Sequence, residues 1–139
     1  MGKYLLILIL ILFWICQSCN QNTETEKQQK AYGQTMDYIK PIPGKDEIIE
    51  NALIKRGEVL ISYSGCYDCH KAENRSKGPS FQDISKRYPT NQIYIDHLAR
   101  KIISGGTGAW GYPVMTAHPN IKIEDAQAMA ANILSTKNQ

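Results

Sequence analysis

An all-α fold is predicted for the C-terminal part of this 139-residue chain. Three observations lead there. Three stretches carry apolar residues at the three-to-four spacing of an amphipathic helix. No stretch alternates apolar and polar residues strongly enough to argue for a strand. Glycines and short polar residues stand where helix caps and breakers are expected.

The first helix is expected over residues 46–62, with Ile48, Ile49, Ala52, Leu53, Val59 and Leu60 on its apolar face. Asp46 and Glu47 suit the positive end of its dipole, and Gly65 breaks the chain after it. A short helical turn is expected over residues 81–88. The second long helix is placed at 91–104 with Ile93, Ile95, Leu98, Ile102 and Ile103 as its apolar positions, Thr90 as its cap and Gly105-Gly106 as its stop. The third is placed at 123–135, carrying Ala126, Met129, Ala130, Ile133 and Leu134, and Met129 is read as a core residue. Lys122 precedes it, a weak N-cap. No internal repeat is visible.

Ahead of this domain, Lys3 leads into an apolar run from Tyr4 to Ile15, and Gln17 turns the composition polar. The run is shorter than the roughly 20 residues of a membrane span and fits the core of a secretory signal peptide. Cys16-Gln17-Ser18-Cys19 follows and resembles a bacterial lipoprotein processing site, with Ser18 as the small residue and Cys19 as the lipid acceptor. Cys16, preceded by bulky Ile15, fits that role less well. An ordinary cleaved signal, a short uncleaved anchor and a Cys16 to Cys19 disulfide are the alternatives. From Asn20 to Lys45 the chain is rich in Gln, Asn, Thr, Glu and Lys and ends in Pro41-Ile42-Pro43-Gly44. Such a stretch buries too little apolar area to offset its ordering entropy and is expected to act as a tether. If it packs instead, Tyr32, Met36, Tyr38 and Ile39 are the residues to dock. The expected organisation is therefore a lipoprotein-type signal peptide (1–18), a lipidated N-terminus with a flexible tether (19–45) and a folded domain (46–139).

Within that domain stands Cys66-Tyr67-Asp68-Cys69-His70, a C-x-x-C-H string. This is the signature of covalent c-type haem attachment: each thiol adds across one porphyrin vinyl group, and the adjacent imidazole becomes an axial ligand of the iron. Cys66 and Cys69 are thus candidate thioether anchors and His70 a candidate ligand. A zinc site needs a second ligand pair, but no cysteine follows Cys69, and His97 and His118 are far apart. A redox dithiol normally sits in a βαβ context, which this helical pattern lacks. A haem also supplies the apolar surface that so small a domain needs for a core.

The sixth iron position separates an electron carrier from a catalyst or gas binder. Met115 is the candidate, at the end of a loop, Gly105-Gly106-Thr107-Gly108-Ala109-Trp110-Gly111-Tyr112-Pro113-Val114-Met115, whose glycines and proline permit close backbone approach to a flat cofactor. His118 is the alternative ligand. His97 reads as a surface or partly buried helix residue.

The domain resembles the small class I cytochromes c of bacterial respiratory chains. The resemblance rests on Gly65-Cys66-Tyr67-Asp68-Cys69-His70, on Lys77-Gly78-Pro79-Ser80-Phe81, on Gly108-Ala109-Trp110-Gly111 leading to Met115, and on the helix from Asp125 to Ser135. It implies a class I cytochrome c fold around one covalent haem c. It further implies that Met115 is the sixth ligand, that the Pro79 carbonyl accepts from the free ring nitrogen of His70, and that Trp110 and Lys101 serve the haem propionates. Thr116 and Ala117 depart from the prolines common after the methionine.

The expected function is single-electron transfer outside the cytoplasmic membrane, from a membrane donor to a terminal oxidase or reductase, by a protein exported and held on the membrane by lipid. The rivals are a haem enzyme or gas sensor with a labile sixth ligand, and a fixed haem subunit of a larger oxidoreductase. The formal charge of +3 is partly that of the tether and signal and names no partner. Lys71, Arg75 and Lys77 form either a docking patch or a solvated loop. No nucleic-acid motif is present.

Overall fold

The structure, a computed structural model, describes residues 40–111 and 114–138. These lie in the unit Tyr38–Gln139. The proposed signal peptide, Cys19 and most of the tether, including Tyr32, Met36, Tyr38 and Ile39, lie outside the described residues.

Among the described residues four α-helices follow one another: α1 (Asn51–Tyr63), α2 (Phe81–Arg87), α3 (Gln92–Ser104) and α4 (Ile123–Ser135). A 3₁₀ turn, Cys66–Asp68, separates α1 from α2, and another, Thr136–Asn138, follows α4. Among the described residues there is no strand, and only an isolated antiparallel bridge joins Gly106 to Met115. The expected helices at 123–135 and 81–88 are found, the latter ending at Arg87. Ser80 and Asp83 close α2 with a capping box, each side chain accepting from the other's backbone N–H.

Helix α4 is the spine. Its Ala126, Ala128, Ala130 and Ala131 are fully buried, and such small side chains let neighbouring helices approach. The closest approach is to α1 at Gly57, where a Cβ would stand 1.9 Å from the Ala128 carbonyl oxygen. Only glycine permits that crossing. Ile61, Ile95, Met129 and Leu134 fill the centre, so Met129 is a core residue as expected. Each such buried side chain contributes about 2 kcal/mol of apolar transfer. Lys122 provides no side-chain cap to α4. Glu124 and Asp125 in the first turn compensate through the dipole, and Asp125 also pairs with Arg56 of α1.

Several expectations are corrected. Helix α1 starts at Asn51 rather than at residue 46, because Asp46 and Glu47 have tertiary partners that an early helix would forgo. Asp46 Oδ1 accepts from the Thr90 N–H at 2.7 Å and from Lys137 Nζ at 2.6 Å. The Glu47 N–H donates to the Thr90 carbonyl at 2.6 Å, and Glu47 Oε2 accepts from the Gln92 N–H at 3.1 Å. Thr90 is not the cap of α3. Asn91 is, its Oδ1 accepting from the Tyr94 N–H, while the buried Thr90 hydroxyl donates to the Leu134 carbonyl. The last residues of the expected tether, 40–45, dock at the C-terminal end of α2 and the turn after it: the Ile42 N–H donates to the Arg87 carbonyl at 2.8 Å, and Asn91 Nδ2 donates to the Lys45 carbonyl at 3.0 Å. Ile42 reaches the core cluster. Ile48, Ala52, Val59 and Ile93, assigned to apolar faces, are exposed.

Candidate haem centre

The C-x-x-C-H string occupies a tight turn after α1. Gly65 adopts φ 69°, a left-handed conformation that turns the chain out of the helix at little cost to glycine. Cys66–Asp68 then make one 3₁₀ turn, and the Cys66 carbonyl accepts from the N–H groups of both Cys69 and His70, at 3.2 and 2.9 Å. Two free thiols and an imidazole therefore share one turn of backbone. Cys66 is half-buried, and burial pushes its thiol up from the ordinary value.

His70 is held in a defined tautomer. Its Nδ1 lies 2.7 Å from the Pro79 carbonyl oxygen. A carbonyl only accepts, so Nδ1 carries the proton and Nε2 keeps the lone pair that a metal requires. The ring stacks on Phe81 at 5.6 Å between centroids and 16° between planes. Behind it runs Gly78, whose N–H donates to the Cys69 carbonyl at 2.9 Å. A Cβ there would come within 2.8 Å of His70 Cε1. The Lys77-Gly78-Pro79 segment is thus a backbone cradle for one imidazole, and the hydrogen bond sets its orientation and basicity.

On the loop that ends in the candidate Met115, the Met115 N–H donates to the Gly106 carbonyl at 3.0 Å, and the Gly106 N–H donates back to the Met115 carbonyl at 2.9 Å. Gly105 is confined by this closure: its φ is 63°, and a Cβ would stand 2.5 Å from the Met115 carbonyl oxygen. The His118 N–H reaches the Ile102 and Ile103 carbonyls at 3.1 Å, fastening the far side of the loop to α3. Backbone bridges therefore hold a loop in which Thr116 and Ala117 replace prolines. Met115 is half-buried and packs against the core cluster.

Trp110 is also half-buried against the core, 6.4 Å from Tyr88 in an edge arrangement. Lys101 is exposed, and its Nζ lies 3.9 Å from where a Gly106 side chain would begin. Both propionate candidates therefore belong to the Met115 loop or its foot. His97 is exposed, with its ring 6.0 Å from Tyr88. Of the basic trio, Lys71 Nζ folds back to the Tyr67 carbonyl at 2.7 Å, and Arg75 turns inward so that its Nη2 donates to the Trp110 carbonyl at 3.1 Å. Arg75 is therefore tied to the Trp110 backbone, while Lys71 and Lys77 stay exposed. Arg87 and Phe81 were not singled out as site residues, since no spacing rule ties α2 to the loops on either side of it.

Among the described residues, no three of His, Cys, Asp and Glu gather as a metal-ion site. Two thiols and one oriented imidazole on a single turn fit a covalently attached haem. A protein of this kind is a monohaem c-type electron carrier built on short helices. The chain matches the cytochrome c family model over residues 54–137, and it belongs to the cytochrome c family. It is 36% identical over 80 residues to cytochrome c-552 of Hydrogenobacter thermophilus, covering 58% of this chain and 81% of that protein. To cytochrome c-551 of Azotobacter vinelandii it is 35% identical over 81 residues, covering 58% and 98%. The crystal structure of wild-type Nitrosomonas europaea cytochrome c552 superposes with a TM-score of 0.53 at 33% identity, covering 57% of this chain and 98% of that one. The fold is the class I cytochrome c fold, with one covalent haem c as its cofactor.

Proposed function

We propose that this cytochrome is an exported carrier, held at a membrane by a lipid on Cys19, that passes single electrons from a membrane donor to a terminal oxidase or reductase. Cys66 and Cys69 are its haem anchors, and His70 and Met115 its axial ligands. The observation that carries the reading is the 2.7 Å contact from His70 Nδ1 to the Pro79 carbonyl, which leaves Nε2 as the ligating nitrogen in a fixed orientation. Bound haem supplies one-electron cycling between ferric and ferrous iron. The chain's own residues keep ligand movement small during that cycle: the Gly78–Pro79 backbone backs the imidazole, and the Gly106–Met115 bridge pins the thioether's residue. Trp110 and Lys101, at the loop and its foot, are the donors for the propionates.

Tethering favours a partner resident on the same membrane, because linkage turns encounter into an intramolecular event at an effective concentration on the order of mM for short flexible linkers. The test is the visible spectrum of the exported, purified protein, oxidised and reduced, with and without carbon monoxide. A reduced c-type spectrum, a far-red methionine-to-iron band when oxidised and no response to carbon monoxide are expected. Carbon monoxide binding to the undenatured ferrous protein would establish the labile-ligand reading instead, and absence of covalent haem would refute both. Globomycin-sensitive labelling of wild type but not of Cys19→Ala by a radioactive fatty acid tests the anchor.

A further inference from the structure

The loop 105–115 meets the body of the protein at Trp110, and two cations converge there. Arg87, the last residue of α2, holds its guanidinium carbon 5.6 Å from the Trp110 ring centroid and 5.7 Å from that of Tyr88. Arg75, from the segment after His70, donates from Nη2 to the Trp110 carbonyl at 3.1 Å. Both arginines are half-buried. Arg87 also meets the N-terminal segment: its carbonyl accepts from the Ile42 N–H at 2.8 Å, and its Nη1 approaches the Lys40 carbonyl at 3.5 Å.

We propose that Arg75 and Arg87 are positioning residues for the axial methionine, gripping Trp110 by its carbonyl and by its ring so that the Gly106–Met115 bridge stays closed. This rests on the reading of Met115 as the axial ligand. Arg75 ties the loop of one axial ligand to the segment that follows the other, so the two ligand-bearing segments hold their spacing without a direct covalent link. Arg87 acts differently. Its planar guanidinium stacks on aromatic rings while its edge N–H groups remain available to carbonyls, a combination an ammonium group does not offer. Through the same residue, the strap at 40–42 is joined to the loop. That strap precedes the residues 54–137 matched to the family, and its docking reinforces the methionine loop.

The experiment uses the haem-loaded full chain and the variants Arg87→Leu, Arg87→Lys, Arg75→Gln and Met115→Leu, with Arg100→Leu on the exposed side of α3 as control. Amide hydrogen exchange at Gly106 and Met115 reads the loop bridge, and exchange at Ile95 and Met129 reads the core. The far-red band of the ferric protein is followed through a denaturant titration beside helical circular dichroism. Arg87→Leu and Arg75→Gln should lower protection of the two loop amides roughly tenfold while core protection changes less than about twofold. The band should then disappear at a lower denaturant concentration than the helices. Arg87→Lys, which keeps the charge and loses the stacking plane, should behave like Arg87→Leu. Parallel loss at loop and core, or an unchanged loop in both arginine variants, overturns the proposal. Should Arg87→Leu fail to fold, Arg75→Gln, which removes no core side chain, decides alone. Met115→Leu should abolish the band. Its persistence there would overturn the axial assignment and the proposal with it, whereas an intact loop in the arginine variants with the band absent in Met115→Leu overturns the proposal only.

Discussion

Replacing Gly57 with alanine tests the crossing on which the whole arrangement of helices depends. A Cβ at this position would stand 1.9 Å from the Ala128 carbonyl oxygen, 2.5 Å from its carbonyl carbon and 2.9 Å from Asn132 Cβ. Ordinary contact begins near 3.4 Å, so α1 and α4 must separate by about 1.5 Å, and no rotamer change relieves a clash with backbone. Two links span the same crossing: Asn132 Nδ2 donates to the Ile54 carbonyl at 3.3 Å, and Arg56 pairs with Asp125. Overpacking of this kind costs about 3 kcal/mol, and stretching the Asn132 bond costs about 1 kcal/mol. Alanine's better helix propensity returns about 1 kcal/mol. The net is about 3 kcal/mol, roughly a hundredfold in the unfolding equilibrium. Guanidinium unfolding of the haem-loaded protein, followed by far-ultraviolet circular dichroism, measures it. Ala52→Gly on the exposed side of α1 should cost only about 1 kcal/mol. A Gly57→Ala protein as stable as wild type, or more stable, would refute the reasoning, because propensity would then have outweighed packing.

Two other outcomes are expected. Asp46 is held below the usual carboxylate range, chiefly by the hydrogen bond from Lys137 and then by the Thr90 N–H. A depressed folded-state value means that the contribution is present above the unfolded value of about 3.9 and is lost as pH falls through the folded one. Asp46 is half-exposed, so Asp46→Asn should cost only about 0.5 kcal/mol at neutral pH. The gap between the two proteins should close under strongly acid conditions, and urea midpoints at both pH values check this; a gap that is the same at both would rule the linkage out. Gly78→Ala places a methyl group within 2.8 Å of His70 Cε1 and must tilt the imidazole or displace the 77–79 segment. Its ring-proton shifts should move and its reduction potential should fall or rise measurably from wild type, with haem still covalently attached; an unchanged His70 signal would show that the backbone at Gly78 does not support the ring.

The identity of the cofactor was legible in five consecutive residues, because haem attachment is covalent and local: Cys66, Cys69 and His70 carry that chemistry wherever the turn points. Helices α3 and α4 were legible for the same local reason, each burying a continuous stripe at helical spacing, with Gly105 ending the one and Ser135 the other. Met115 was legible as a candidate from its glycine- and proline-rich loop, whereas the Pro79 carbonyl was legible only as part of a family pattern. Local patterning failed where a residue had a better partner far away in sequence. Asp46 and Glu47 suit a helix start, yet Thr90, Gln92 and Lys137 offer them hydrogen bonds that a first helical turn would not. Residues 40–45 have the composition of a linker, but Arg87 and Asn91 satisfy their backbone and Ile42 reaches the core. Arg75 looked like a surface charge until the fold brought the Trp110 carbonyl to it. The sequence by itself determined what this protein binds and which helices it builds, since both follow from covalent chemistry and short-range periodicity. Which segments fasten the Met115 loop and the segment after His70 was decided only by tertiary structure, since those hydrogen bonds and cation–ring contacts join residues tens of positions apart and leave no local periodicity to read.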